Sequence, residues 1–447
     1  MKQLRIFLTA SFFLIAFSGP LLLSAQDSVG IKHLTLQEAI DLSIKNSKQL
    51  KASQARIDEA TGALSEAKDN KLPNASISGA YLRIPSPTVS LKTKIFGSSD
   101  STGGGAPSVN QALYGIASVS LPIYSGGRIR YGIESAKYLQ QAATLDAEND
   151  KESVILNTIN AYTNLYKATV TVDVVRENLH KSLQRDSVLS RLEQNGLLAR
   201  NDLLKAQLQS SNIELSVLDA ESNRKIATVN MNLMLGLPEQ TELITDSSSF
   251  EKKISLKNLE EYEQLALQNR KDILALSFRK KAATTGIAAA KGEMYPSIAL
   301  TGGYIAADIP HFITITNAVN IGVGLKYDIG SLWKTKSKIV QAQAREREIT
   351  AGQAQLDDVV RLEVTRDYED YLLSTRKTEV YEKAVAQATE NYRITKNKYD
   401  NALVNTTDLL DANVSLLQSQ ISLAVAKADE LLAYDKLLQA AGLITAN

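Results

Sequence analysis

Apolar residues recur along this chain in two rhythms. Four segments alternate with period two. Val319, Ile321, Val323, Leu325 and Tyr327 alternate with Asn320, Gly322, Gly324 and Lys326, and Ile298, Leu300, Gly302 and Tyr304 with Ser297, Ala299, Thr301 and Gly303. Earlier, Val119, Leu121 and Ile123 alternate with Ser118 and Ser120, while Ala75, Ile77 and Tyr81 stand opposite Ser76 and Ser78. Side chains of a strand point alternately to its two faces, so each segment predicts a strand with one apolar and one small, polar face. Elsewhere the rhythm is helical. Leu410, Val414, Leu417, Ile421, Ala424, Ala428, Leu431 and Leu438 keep heptad spacing, which predicts a coiled-coil seam. Leu204, Leu208, Leu215 and Leu218 follow the same phase less completely. No proline falls between Tyr124 and Leu237, and none after Pro310, so both stretches are open to very long helices.

The pattern occurs twice. Residues 36–81 align without a gap on 259–304, with identities that include Asn46/Asn269, Arg56/Arg279, Pro73/Pro296 and Tyr81/Tyr304. A second block, at an offset of 206 residues, pairs Tyr162/Tyr368, Asn195/Asn401, Asp202/Asp408, Ala206/Ala412 and Gly236/Gly442. Two ungapped blocks in the same order mark a duplication. Each copy reads as helix, two strands, long helix, turn, helix, with the copies at 26–237 and 259–447 and a linker at 238–258. A helix over 126–194 would span about 100 Å. The shorter helices at 36–70 and 197–236, stacked end to end, match that length, as do 259–292 and 403–442 against 331–400. We expect a palisade of antiparallel helices in which the stacked pair covers the whole apolar stripe of the long helix.

The alternating strands fit either a soluble sandwich, apolar face inward, or a transmembrane barrel, apolar face toward lipid. The first 25 residues favour the barrel. Lys2 and Arg5 precede an apolar run to Leu23, broken at Gly19-Pro20, and Ser24-Ala25 offers a cleavage site, which predicts a signal peptide rather than a retained anchor. Four strands cannot close a barrel. Three copies supply twelve, and only a closed barrel satisfies its backbone in lipid. The fold class expected is therefore a mixed α and β membrane protein, with a long helical barrel joined to a trimeric twelve-stranded β-barrel.

Composition removes other classes. With 50 basic and 49 acidic side chains there is no field for nucleic acid. The chain has no cysteine, and His33, His180 and His311 stand far apart, so no metal site or cofactor is expected. Ser101-Thr102-Gly103-Gly104-Gly105 lacks the Gly-Lys-Ser/Thr of a phosphate loop and lies in a Ser, Gly, Pro and Thr-rich segment, 84–112. No nucleophile, base and acid set suggests an enzyme.

The repeated turn carries a family resemblance. Asn195-Gly196-Leu197-Leu198-Ala199-Arg200-Asn201-Asp202-Leu203-Leu204-Lys205-Ala206 and Asn401-Ala402-Leu403-Val404-Asn405-Thr406-Thr407-Asp408-Leu409-Leu410-Asp411-Ala412 resemble the helix-turn-helix tip of TolC-like outer-membrane efflux proteins. Leu121-Pro122-Ile123-Tyr124-Ser125-Gly126-Gly127-Arg128 is similar to that family's strand-to-helix junction, and Gly236-Leu237-Pro238 to the end of its first half. The resemblance implies a homotrimer set in outer-membrane lipid, with its helical part in the periplasm. It implies that the tips, Asn195, Gly196 and Leu197 with Asn401, Ala402 and Leu403, dock a periplasmic adaptor that bridges to an inner-membrane pump of the RND or ABC type. It also implies that Asp408 and Asp411 ring the closed entrance. Ala402, where the first copy has Gly196, implies either a tighter adaptor groove or a less strained turn.

The acidic residues also have a direct reading. Asp408 and Asp411 lie one helical turn apart, and threefold symmetry would make each a ring of three carboxylates, a cation-attracting constriction. Asp202, the match of Asp408, is placed with them at the constriction. The competing reading is helix capping, which suits Asp202 in particular, because Lys205 replaces the second acid in the first copy. A passive export duct is the function expected. A periplasmic coiled-coil adaptor or scaffold is the alternative, but it would carry many short strands and a single hairpin.

Overall fold

The structure, a computed structural model, describes residues 30–83, 110–246, 256–310 and 313–445. The signal-peptide expectation and residues 84–109 of the glycine-rich loop lie outside them. Each copy builds one long hairpin. In the first, α3 (Arg128–Gln194) runs out to a turn and α4 (Arg200–Leu235) returns. In the second, α7 (Ser331–Asp400) and α8 (Thr406–Ala440) repeat it. At 67 and 70 residues, α3 and α7 each extend about 100 Å. Both returning helices are followed by a left-handed glycine, Gly236 (φ 69°) and Gly442 (φ 66°), a conformation that costs glycine nothing.

The short helices differ from expectation. Each is two helices, α1 (Leu36–Asn46) with α2 (Lys48–Asp69), and α5 (Leu259–Asn269) with α6 (Lys271–Gly292). The breaks at Ser47 and Arg270 are single extended residues, with ψ of 121° and 127°. Ser47 turns its break into a new start, because its side chain accepts from the Leu50 amide. The returning helices dock against these breaks. Asn46 Nδ2 donates to the Leu235 carbonyl at 2.6 Å, and Gly442 closes on the backbone of Asn269 and Arg270. Arg270 completes the second junction by donating to Asp272, Glu363 and the Ala440 carbonyl.

Strands β2 (Asn74–Arg83), β3 (Gln111–Tyr124), β5 (Ser297–Ile309) and β6 (Ile313–Lys326) form one antiparallel sheet in the order β2-β3-β5-β6. The register sorts the two faces by chemistry. Ile77, Ala117, Tyr304 and Val319 form one row and Val119, Gly302 and Ile321 the next, while Ser76, Ser118, Gly303 and Asn320 fall on the opposite face. Ser76 and Ser118 share a hydrogen bond at 2.9 Å there. The apolar rows are uncovered: Ile77 is 89 % exposed and Val323 72 %.

Two further strands, β1 (Ile31–Leu34) and β4 (Glu242–Thr245), pair in parallel as a separate small sheet. They were not anticipated, since four residues offer too little alternation to read. Tyr162 pins them by donating to the Leu34 carbonyl and accepting from the Asp246 amide at 2.9 Å. Around it Leu34, Leu165, Met231, Leu235 and Leu243 form the core of the first copy. Tyr262, Ala266, Val360, Val364 and Leu437 form that of the second.

The expectation that stacked short helices cover each long one is overturned. Helix α6 packs on α3 of the first copy as well as on α7, and Leu362, Leu373 and Val380 of α7 remain exposed. The leucine seam on α4 is also corrected. Leu203, Ala206, Ile213 and Val217 face the chain's own core, whereas Leu204, Leu208, Leu215 and Leu218 point away from it. Along α8, Leu410 and Ala428 of the expected seam are buried, and Leu417 and Ile421 pack against Val175, Ile213 and Val217. No helix among the described residues is long and apolar enough to cross a membrane.

Candidate functional site at the helical tip

Both hairpins turn in the same way. Asn195 caps α3 by donating from Nδ2 to the Arg191 carbonyl at 2.7 Å, and Asn401 does the same to Asn397 at 2.7 Å. The next residue is left-handed, Gly196 at φ 73° and Ala402 at φ 59°. The one after it closes the turn, with Leu197 N donating to Leu192 O and Leu403 N to Lys398 O. Ala402 therefore keeps the glycine geometry, and its turn is the more strained of the two, which removes the less strained turn from the two alternatives expected. Leu197 and Leu403 project from the apices, 75 % and 73 % exposed. A Cβ at Gly196 would meet nothing within 4 Å.

The copies differ in how the turns are braced. Arg200 reaches back to Glu193 at 3.2 Å, and the matching positions in the second copy hold Thr406 and Tyr399, whose hydroxyls lie 3.4 Å apart. Capping differs as well. Asp408 accepts from the Asn405 amide at 3.2 Å while Asn405 Oδ1 accepts from the Asp408 amide at 2.9 Å, a reciprocal box. Asp202 has no such partner, because Ala199 precedes its helix, and its nearest base is Lys205 at 3.7 Å. The capping expected of Asp202 thus belongs to Asp408. Asp411 stands one turn further on, exposed.

Between the hairpins lies a groove of about 1310 Å³, lined among others by Arg185, Asp202, Lys396, Tyr399, Asp400 and Asn405. Asn178 and Asn413, both buried, join α3 to α8 across it through paired amides at 3.3 and 3.4 Å. Packing of Leu189, Leu203 and Ala206 against Tyr399 joins the tip of α4 to α7. Arg185 lies mostly buried on α3, where burial lowers its affinity for a proton and Asp186 partly restores it. Sequence reasoning missed these cross-hairpin groups. Neither Asn178 nor Asn413 recurs at its repeat position, so the duplication gave no signal for them. Among the described residues no cluster of His, Asp or Glu could hold a metal ion.

These features recur in known proteins. The family model described as outer membrane efflux protein matches residues 39–237 and 263–443, one segment in each copy. The chain is similar to the outer membrane efflux protein BepC of Brucella suis, at 24 % identity over 88 % of both chains. It is similar to the outer membrane protein TolC of Vibrio cholerae, at 24 % identity over 92 % of this chain and 91 % of that one. In fold it resembles CusC, with a TM-score of 0.77 at 17 % identity over 91 % of this chain and 92 % of the other. The chain belongs to the outer membrane efflux protein family and is a TolC-like protein of the outer membrane.

Proposed function

We propose that the chain forms a homotrimeric export duct, twelve strands over a helical tunnel, that takes substrate from a periplasmic adaptor and an inner-membrane pump. One observation carries this reading: the chain has unfilled edges in its sheet and uncovered apolar stripes on its helices. In the sheet, β2 and β6 are the outer strands. Below it, α4 exposes its leucine stripe, with Leu208 at 64 %, and α7 exposes Leu362, Leu373 and Val380. An open sheet edge and an apolar stripe both call for a neighbour, and identical chains arranged head to tail close into a ring. Burying the uncovered sheet rows in lipid removes the remaining apolar surface, an arrangement that suits an outward-facing apolar band about 25 Å tall.

Docking is assigned to the apices, where exposed Leu197 and Leu403 sit at turns of small residues. Because a Cβ at Gly196 meets no atom of its own chain, Gly196→Trp is expected to abolish export by excluding a partner. Gly196→Ala serves as the control for the left-handed backbone. Export, membrane insertion and cross-linked trimer are measured together. Export that survives the tryptophan removes the docking assignment. Cross-linking that yields only monomers removes the trimer, and a purified protein that forms no conductance in a planar bilayer leaves the scaffold alternative.

A further inference from the structure

All four strands of the large sheet meet their helices at one level. Register pairs Asn74 with Ser120, Tyr124 with Ile298 and Ser297 with Lys326, so the starts of β2 and β5 and the ends of β3 and β6 share one end of the sheet. There the apolar rows give way to exposed Tyr295, Tyr327 and Trp333, the last 65 % exposed. Aromatic rings with a polar edge favour the boundary between acyl chains and headgroups.

The charge at this level is one-sided. Residues 68–73, 125–130, 291–296 and 326–338 carry nine lysines and arginines against three carboxylates, and all nine bases are exposed. Lys338 is held by Glu293 at 2.6 Å. At the opposite strand ends, residues 80–83, 110–114, 306–310 and 313–317 carry one base and one acid, Arg83 and Asp308. Among the described residues the basic surplus therefore belongs to the helix-facing end.

The duplication indicates that Trp333 stays accessible in an assembled ring. Helix α3 follows the cap Gly127 and α7 the cap Gly330, so Arg130 and Trp333 are each the third helical residue. Helix α3 is flanked by α2 and α6 within the chain, yet Arg130 remains exposed. A neighbouring copy's α2 closing on α7 in the same way leaves Trp333 uncovered.

We propose that this collar binds the anionic phosphate headgroups of the periplasmic leaflet, with Trp333 at the acyl boundary and Lys334 and Lys336 on lipid phosphate. The inference rests on the outer-membrane barrel reading. Lysine ammonium groups beside a membrane attract anionic lipid, and their long stems let them reach from an apolar boundary to the headgroup plane.

Trp333 is the chain's only tryptophan, so its fluorescence reports this site. The full-length protein is reconstituted in phosphatidylcholine vesicles containing a fixed fraction of brominated phosphatidylglycerol or, separately, brominated phosphatidylcholine. Quenching by the anionic lipid is expected to exceed that by the neutral one, reflecting a local enrichment of about threefold. High salt should shrink the difference, and K334Q/K336Q should remove it while insertion persists. Equal quenching by the two lipids overturns the proposal. So does a conducting channel quenched by neither, which would put Trp333 in the pore or between copies. Loss of peptidoglycan co-sedimentation in K334Q/K336Q, with no lipid preference, would assign the collar to the cell wall instead. A protein that neither inserts nor conducts fails the barrel reading, and the collar with it.

Discussion

A left-handed residue without glycine is the sharpest local cost at the tip. Ala402 adopts φ 59° and Gly196 φ 73° in turns that are otherwise alike. Ala402→Gly should stabilise the α7–α8 turn by about 1 kcal/mol and Gly196→Ala should cost the first turn a similar amount, read as hydrogen exchange of the turn amides. Unchanged exchange in both would show that packing, not backbone strain, holds the turns. At the other end of the hairpins a buried acid carries a second residue-scale prediction. Glu152 on α3 is buried, and burial raises its carboxyl to about 7, against the pull of Lys271 and with the help of Asp272 and Glu148. Lys271 is itself engaged by Glu148 at 3.3 Å. The folded state holds this proton more tightly than the unfolded chain. Its contribution is therefore complete below pH 4.5, declines as pH rises and is lost above about 7. Glu152→Gln should raise stability at pH 8 by up to about 3 kcal/mol and flatten the decline. A variant whose denaturation profile still falls between about pH 5 and pH 8 as the parent's does would rule out Glu152 as the cause, a range that follows from the same linkage.

Among the elements, the junction at Arg270 should matter most. Its side chain is 11 % exposed and joins Asp272, Glu363 and the Ala440 carbonyl, linking α6, α7 and the end of α8. Arg270→Ala would strand two carboxylates and a carbonyl, and is expected to lower stability by about 3 kcal/mol, seen as a lower thermal midpoint in detergent. Arg270→Lys should recover only part, since one ammonium cannot reproduce the fork. A midpoint unchanged in the alanine variant would mean that the Gly442 contact alone holds the junction. The long helices were legible in the sequence because proline avoidance and heptads extend over tens of residues. The break at Arg270 was not, because no glycine or proline marks it, although the Asn46/Asn269 identity sat beside it. Heptad phase also assigned the α4 leucines to a seam without saying whose. Burial of the adjacent Leu203 and Ile213 shows that the chain's own core takes the neighbouring face. Periodicity reports that a stripe exists, and only packing reports what covers it.

For the whole molecule, the duplication, the sheet and the tip motif were readable, whereas the division of labour between Asp202 and Asp408 was not. The identity of the residue three positions earlier, Ala199 or Asn405, decides it. That division shapes the test of the gate. If three copies bring Asp408 and Asp411 toward one axis, six carboxylates gather at the entrance, and their repulsion favours bound cations. The closed channel should then prefer cations and be blocked from the periplasmic side by multivalent ones. Alanine is a poor probe at position 408, since it would also break the box with Asn405 and cost about 1 kcal/mol of helix capping. Asparagine disturbs the cap less: the substitutions Asp408→Asn and Asp411→Asn keep an acceptor oxygen while removing charge. Single-channel recordings of the double variant should show weaker cation selectivity and weaker multivalent block together, with the trimer's thermal midpoint nearly unchanged. Asp202→Asn, whose carboxylate is already answered by Lys205, should alter both far less. If the double variant selects and blocks as the parent does, Asp408 is a cap and nothing more, and the constriction must be built from other side chains of α7 and α8.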